Sequence, residues 1–147
     1  MVKLEVTINV IVHATEDIAK FFDSFNEMLG LDEGDFSIYN VTGHFENIIT
    51  VIRAKITKKL AIQFLEKFLE KLSENQINQI IQEIAERTEN STLHIRLDKQ
   101  EFIQGRISFI EREAIKIKIH TPIYNKKDTV KIFSKFFKKS SRLNSND

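Results

Sequence analysis

The sequence predicts an α+β fold in which helices cover one face of a mostly antiparallel sheet. Three observations carry this. Some segments alternate apolar and polar residues with period two, as half-buried strands do. Others space apolar residues three and four apart, as amphipathic helices do. The order is strand, helix, two strands, two helices, strand, short helix, strand, helix, which is not the strict alternation of a doubly wound parallel sheet.

The first strand is written by Leu4, Val6, Ile8, Val10 and Val12, alternating with Glu5, Thr7, Asn9, Ile11 and His13. Thr15 is the expected N-cap of the first helix, with Glu16 and Asp17 in a first turn that favours carboxylates. Ile18, Phe21, Phe22, Phe25, Met28 and Leu29 form its stripe, and Gly30 ends it. The acidic loop Asp32 to Asp35 leads into a second strand that begins at Phe36 and stops near Gly43. A third strand carries Ile48, Thr50, Ile52, Ala54 and Ile56 on one face, and Ile49, Val51, Arg53 and Lys55 on the other. The short link between these strands predicts a hairpin.

Thr57 is placed to cap the next helix, whose stripe is Leu60, Ile62, Phe64, Leu65, Phe68, Leu69 and Leu72. Ser73-Glu74-Asn75-Gln76 matches a capping box, so a separate helix starts there, with Ile77, Ile80, Ile81 and Ile84 inward. The two helices form an antiparallel hairpin or a bent pair. Leu93, Ile95 and Leu97 alternate with His94 and Arg96 in a fourth strand. Lys99 to Gln104 read as one helical turn closed by Gly105, and Asp98 is placed to cap it. Ile115, Ile117 and Ile119 alternate with Lys116, Lys118 and His120 until Pro122 ends the strand. Residues 126–139 form the last helix. Residues 1–139 read as one domain, and residues 140–147 as a disordered polar tail.

Composition narrows the functions. The 147 residues are 41 % hydrophobic and 29 % charged, enough for a core and incompatible with global disorder. The chain has no Cys, which excludes disulfides, thiolate metal sites and a Cys nucleophile. Apolar runs such as Val10-Ile11-Val12 fall far short of the roughly 20 residues a membrane helix needs. A cytoplasmic, soluble protein with no membrane partner is expected.

The formal charge of +1 hides an asymmetry. Between Asn125 and Arg142 there are seven Lys and Arg and one acid, Asp128. Lys127, Lys131, Lys135, Lys138 and Arg142 recur three or four apart and share a helix face. Such a stripe repels itself and gains from a polyanion through counterion release; the alternative is a solvated face that keeps the protein soluble. If helices cover the Leu93, Ile95 and Leu97 side, then His94, Arg96, Lys116, Lys118 and His120 lie on the open face, joined by Arg53 and Lys55. That face suits a phosphate backbone; the alternatives are cross-strand pairing with residues such as Glu5, or a homodimer interface.

No catalytic set is visible. His13, His44, His94 and His120 have no second ligand at metal-binding spacing. His13 and His120 both sit near strand ends, and a small hydrolase would need them together with a carboxylate. Phosphate-loop, dinucleotide and nucleophile-elbow motifs are absent from the sequence. No cofactor is expected.

Three segments occur in series: His13-Ala14-Thr15-Glu16-Asp17, Gly43-His44-Phe45-Glu46-Asn47-Ile48-Ile49, and Leu93-His94-Ile95-Arg96-Leu97-Asp98-Lys99-Gln100 with Gly105 behind it. In this order and spacing the chain resembles the archaeal family of predicted exosome-associated RNA-binding proteins, over about residues 5–121. The resemblance implies a fold similar to ribosomal protein L five and an RNA-related role. Members often carry Gly-Asn-Pro in the hairpin where this chain has Glu46-Asn47-Ile48, and the basic last helix lies outside the pattern. His44 is expected as an exposed loop contact and Lys99 as a phosphate contact.

The expectation is therefore a non-catalytic RNA-binding protein, and the resemblance implies a place accessory to the exosome. Its contacts would be His44, Arg53, Lys55, Arg96, Lys99, Lys116 and Lys118, with the Lys127–Arg142 stripe. The alternative is a protein-interaction or homodimer module that uses the open sheet face or the apolar side of the last helix.

Overall fold

The computed structural model describes residues 3–42 and 47–145, with side chains described as far as residue 138. Six strands form one sheet in the order β2-β3-β1-β6-β5-β4, and every pair is antiparallel. The strands are β1 Glu5–Val12, β2 Phe36–Thr42, β3 Ile48–Thr57, β4 Thr88–Glu89, β5 Thr92–Asp98 and β6 Ala114–His120. The helices are α1 Ile18–Leu29, α2 Lys58–Lys71, α3 Glu74–Gln82, α4 Ile84–Arg87, α5 Lys99–Ile103 and α6 Thr129–Ser145.

The period-two pattern decides which face is covered. Val6, Ile8, Val10, Ile52, Ala54, Ile95, Leu97, Ile115 and Ile117 are all buried on the helical side. Phe21, Phe25, Phe64, Phe68, Phe102, Phe133 and Phe137 fill the layer above them, each no more than 1 % exposed. Each such ring contributes roughly 1.5–3 kcal/mol through burial. The face bearing Thr7, Asn9, Arg53, Lys55, Arg96, Lys116 and Lys118 is left open.

Local signals explain most boundaries. Gly30 ends α1 at φ +69°, a conformation that favours glycine. The Ser73 side chain accepts from the Gln76 N–H at 3.1 Å, and the Gln76 side chain accepts from the Ser73 N–H at 2.9 Å. That reciprocal pair separates α3 from α2. Asp98 caps α5 by accepting from the Glu101 N–H.

Several expectations are corrected. Thr15 lies in a turn, and Asp17 caps α1 by accepting from the Ala19 N–H. Thr57 takes the capping position of α2, but its hydroxyl makes no capping hydrogen bond. Thr88–Glu89 form an additional strand, joined to β5 through Asn90 and Ser91 at φ 52° and 63°. Two successive positive φ values are the signature of a tight hairpin turn, and two strand residues are too few to show alternation. The last helix continues to Ser145. On its apolar side Phe133 and Phe137 are fully buried in the chain's own core, while Val130 is exposed.

Candidate nucleic-acid interface

Register places the strand cations side by side. One row across the open face reads Lys55, Thr7, Lys118, His94, and the next reads Arg53, Asn9, Lys116, Arg96. At about 4.8 Å between strands, each row spans roughly 14 Å. Lys116 stands directly opposite Arg96, and Lys118 opposite His94. Like charges such as Lys116 and Arg96 in that arrangement destabilise a sheet by up to about 1 kcal/mol.

Carboxylates do little to offset this. Glu5 reaches Lys55 at 3.4 Å, an exposed pair, and Asp98 is occupied as a cap. Among the described residues, Arg53, Arg96, Lys116 and Lys118 take part in no ion pair. Partial burial lowers the pKa of His94 below the ordinary 6.5, Lys118 and Arg96 lower it further, and Glu89 only partly opposes them. A shallow depression lined by His94, Arg96, Lys116 and Lys118 lies at the centre of this half of the face.

The other half of the face is apolar. Ile11, Tyr39 and Val41 are each about half exposed beside Ile49 and Val51. The β2–β3 hairpin reaches past the helical layer there, which also leaves Ile38 and Ile48 exposed on the reverse side.

The remaining predicted contacts fall elsewhere. Lys99 is only 6 % exposed. Its ammonium donates to the Ile11 carbonyl at 2.6 Å and to Glu16 at 2.8 Å, and it lies over the Phe21 ring. It therefore joins β1 and α1 to α5 and is withdrawn from any phosphate. Burial alone would raise the Glu16 pKa, but the hydrogen bonds from Lys99 and the His13 N–H, together with the charge of Lys99, lower it overall from 4.5. Two of the three motif segments thus meet in one part-buried ion pair. Lys131, Lys135 and Lys138 are exposed on α6, and Lys127 lies in the turn before it. α6 packs against α2, α3 and α4, so these cations belong to the helical layer and do not continue the strand rows. Arg142 lies on α6 beyond the last described side chain, and His44 lies outside the described residues. His13 and His120 do not meet. Glu5 pairs with His120, which puts His13 eight residues along β1, about 26 Å away.

A cleft that the sequence did not signal opens at the β5 edge, with a volume of about 510 Å3. β4 covers one end of that edge, and residues 108–110 cover the other through Asp98 N–H to Ser108 O and Ile110 N–H to Arg96 O. The Gln76 amide donates to the Ile107 carbonyl at 2.7 Å and holds that segment in place. The walls carry Glu86, Arg87, Glu89, Phe109 and Glu111, while His94 and Arg96 connect the cleft to the open face.

A family model described as RNA binding matches residues 5–121. The chain belongs to this RNA-binding family. An uncharacterised protein of Methanocaldococcus jannaschii is 26 % identical over 137 residues, covering 86 % of this chain and 91 % of the relative. The crystal structure of a DUF54 protein from Archaeoglobus fulgidus superposes with a TM-score of 0.74 at 26 % identity, over 90 % of this chain and 97 % of that one. A DUF54 protein from Sulfolobus solfataricus also gives a TM-score of 0.74, at 23 % identity, over 97 % of this chain and 99 % of that one. Neither the family nor these relatives points to an enzyme. Among the described residues no helix is long and apolar enough to cross a membrane.

Proposed function

We propose that this member of the RNA-binding family is a non-catalytic protein that holds RNA phosphate on the open face of its sheet. The observation that carries the reading is the pair of cross-strand rows, in which Lys116 faces Arg96 with Lys118 beside them on the same strand as Lys116, and among the described residues none of the three takes part in an ion pair. A phosphate chain would relieve that repulsion and add the entropy of released counterions. Arg53, Lys55, Arg96, Lys116 and Lys118 are the contacts. Lys127, Lys131, Lys135 and Lys138 form a second, separate surface on the helical side, useful only to a long or folded RNA; Arg142, the fifth cation of the sequence stripe, lies beyond the described side chains. Phosphate contacts position a nucleic acid without reading its sequence, so the face itself has little base preference. The resemblance to exosome-associated proteins with a ribosomal protein L five-like fold extends the proposal to an accessory place beside the RNA-processing exosome in the cytoplasm.

Filter binding of structured RNA across a salt series tests this. Four or five phosphate contacts give a log–log salt slope near roughly −4. An affinity indifferent to salt would contradict the proposal.

The second reading, a homodimer or protein-interaction surface, is favoured by the apolar half of the face at Ile11, Tyr39 and Val41. Light scattering over a range of concentrations separates the two. A tight dimer burying His94 and Arg96 would leave RNA no access to the rows.

A further inference from the structure

We infer that the cleft at the β5 edge receives one unstacked base of the bound RNA and that guanine fits it best. This rests on the phosphate-binding reading and adds a base preference that the open face lacks. The cleft's volume of about 510 Å3 lies in the range of small-ligand sites.

Its walls contain a guanidinium and an aromatic ring in contact. The Arg87 guanidinium makes two hydrogen bonds, of 3.0 and 2.7 Å, to one oxygen of Glu83. It lies 5.3 Å from the centre of the Phe109 ring. Guanidinium planes and aromatic rings are the surfaces on which unpaired RNA bases stack. Glu86, Glu89 and Glu111 line the same cleft, and among the described residues none of them pairs with a cation.

Ionised carboxylates only accept hydrogen bonds. They repel phosphate and favour the part of a nucleotide that donates. Guanine presents two adjacent donors, N1–H and the N2 amino group, which match the two oxygens of one carboxylate. Adenine and cytosine offer a single amino group, and uracil a single N–H. His94 and Arg96 line both the cleft and the cationic rows, so a nucleotide can place its base in the cleft with its phosphate over Arg96 and Lys116.

Fluorescence anisotropy on oligoadenylate carrying a central G, inosine or A tests this. The G oligomer should bind roughly tenfold tighter than the A oligomer, as expected for a bidentate base contact. Inosine, which lacks the N2 amino group, should lose most of that gain. Glu89→Gln with Glu111→Gln should abolish the discrimination without weakening the all-A oligomer. Phe109→Leu, which keeps the apolar bulk, should reduce it. Circular dichroism verifies the fold of each variant. Lys116→Glu with Lys118→Glu should weaken all three oligomers alike. Equal wild-type affinities for G, inosine and A, still weakened by the lysine reversals, would overturn the cleft and leave the phosphate reading standing. No binding of any oligomer at low salt would overturn both.

Discussion

Lys99, the first residue of α5, and Lys116, on β6, are the same residue type and do opposite things. Lys99 stands at the start of α5 and turns inward, where a carbonyl and a carboxylate 83 residues away in sequence hold its ammonium. Lys116 stands on the open face opposite another cation, with no ion-pair partner among the described residues. Both are basic residues beside a motif or a strand, so charge alone does not separate them. What separates them is whether nearby groups of the fold already satisfy the ammonium. The family-like motif segments around Glu16 and Lys99 therefore form an internal clip, whereas the cations placed by strand alternation stay on the open face.

Substitutions sharpen this contrast, the largest effect first. Lys99→Met leaves the part-buried Glu16 without its partner and the Ile11 carbonyl without its donor, and should destabilise the protein by about 1–3 kcal/mol in urea denaturation. RNA affinity, measured where the variant remains folded, should change less than about threefold. Lys116→Glu with Lys118→Glu should do the reverse. Stability should shift by less than about 1 kcal/mol, while RNA affinity falls by tenfold or more and the salt slope shrinks by roughly two units. Reversing Lys131, Lys135 and Lys138 on α6 should weaken RNA by no more than a few-fold in the same filter assay.

The two sites also differ in pH response. The lowered pKa of Glu16 stabilises the fold above the ordinary carboxylate value, and that stability is lost as pH falls from about 4.5 through the lower folded value. For His94 the unfolded chain binds the proton more readily, so acidification below pH 6.5 costs stability until the folded group titrates. RNA reverses that sign by stabilising the protonated imidazole. Binding should therefore strengthen as pH drops below 6.5 and take up a proton, and His94→Gln should abolish both effects in titrations run in two buffers of different ionisation heat.

Much of the scaffold was legible because its rules are local. Period two assigned Arg96, Lys116 and Lys118 to one side, and the capping box at Ser73 placed the start of α3. Register was not legible: nothing in a single strand states that Lys116 will face Arg96. The burial of Lys99 depends on Ile11 and Glu16 far back in the chain, so its exposure was misjudged. The placement of the α6 lysines followed from where Phe133 and Phe137 insert, which the wheel of that helix alone does not specify. The cleft was invisible because residues 106–113 have no periodicity and β4 has only two residues.

The central claim is that the strand rows, and not the α6 stripe, hold the phosphates. Amide NMR shift mapping with a short single-stranded RNA tests it directly. The largest shifts are expected at residues 7, 9, 53, 55, 94, 96, 116 and 118, with little change at 131, 135 and 138. Shifts confined to α6, with the open face silent, would contradict it.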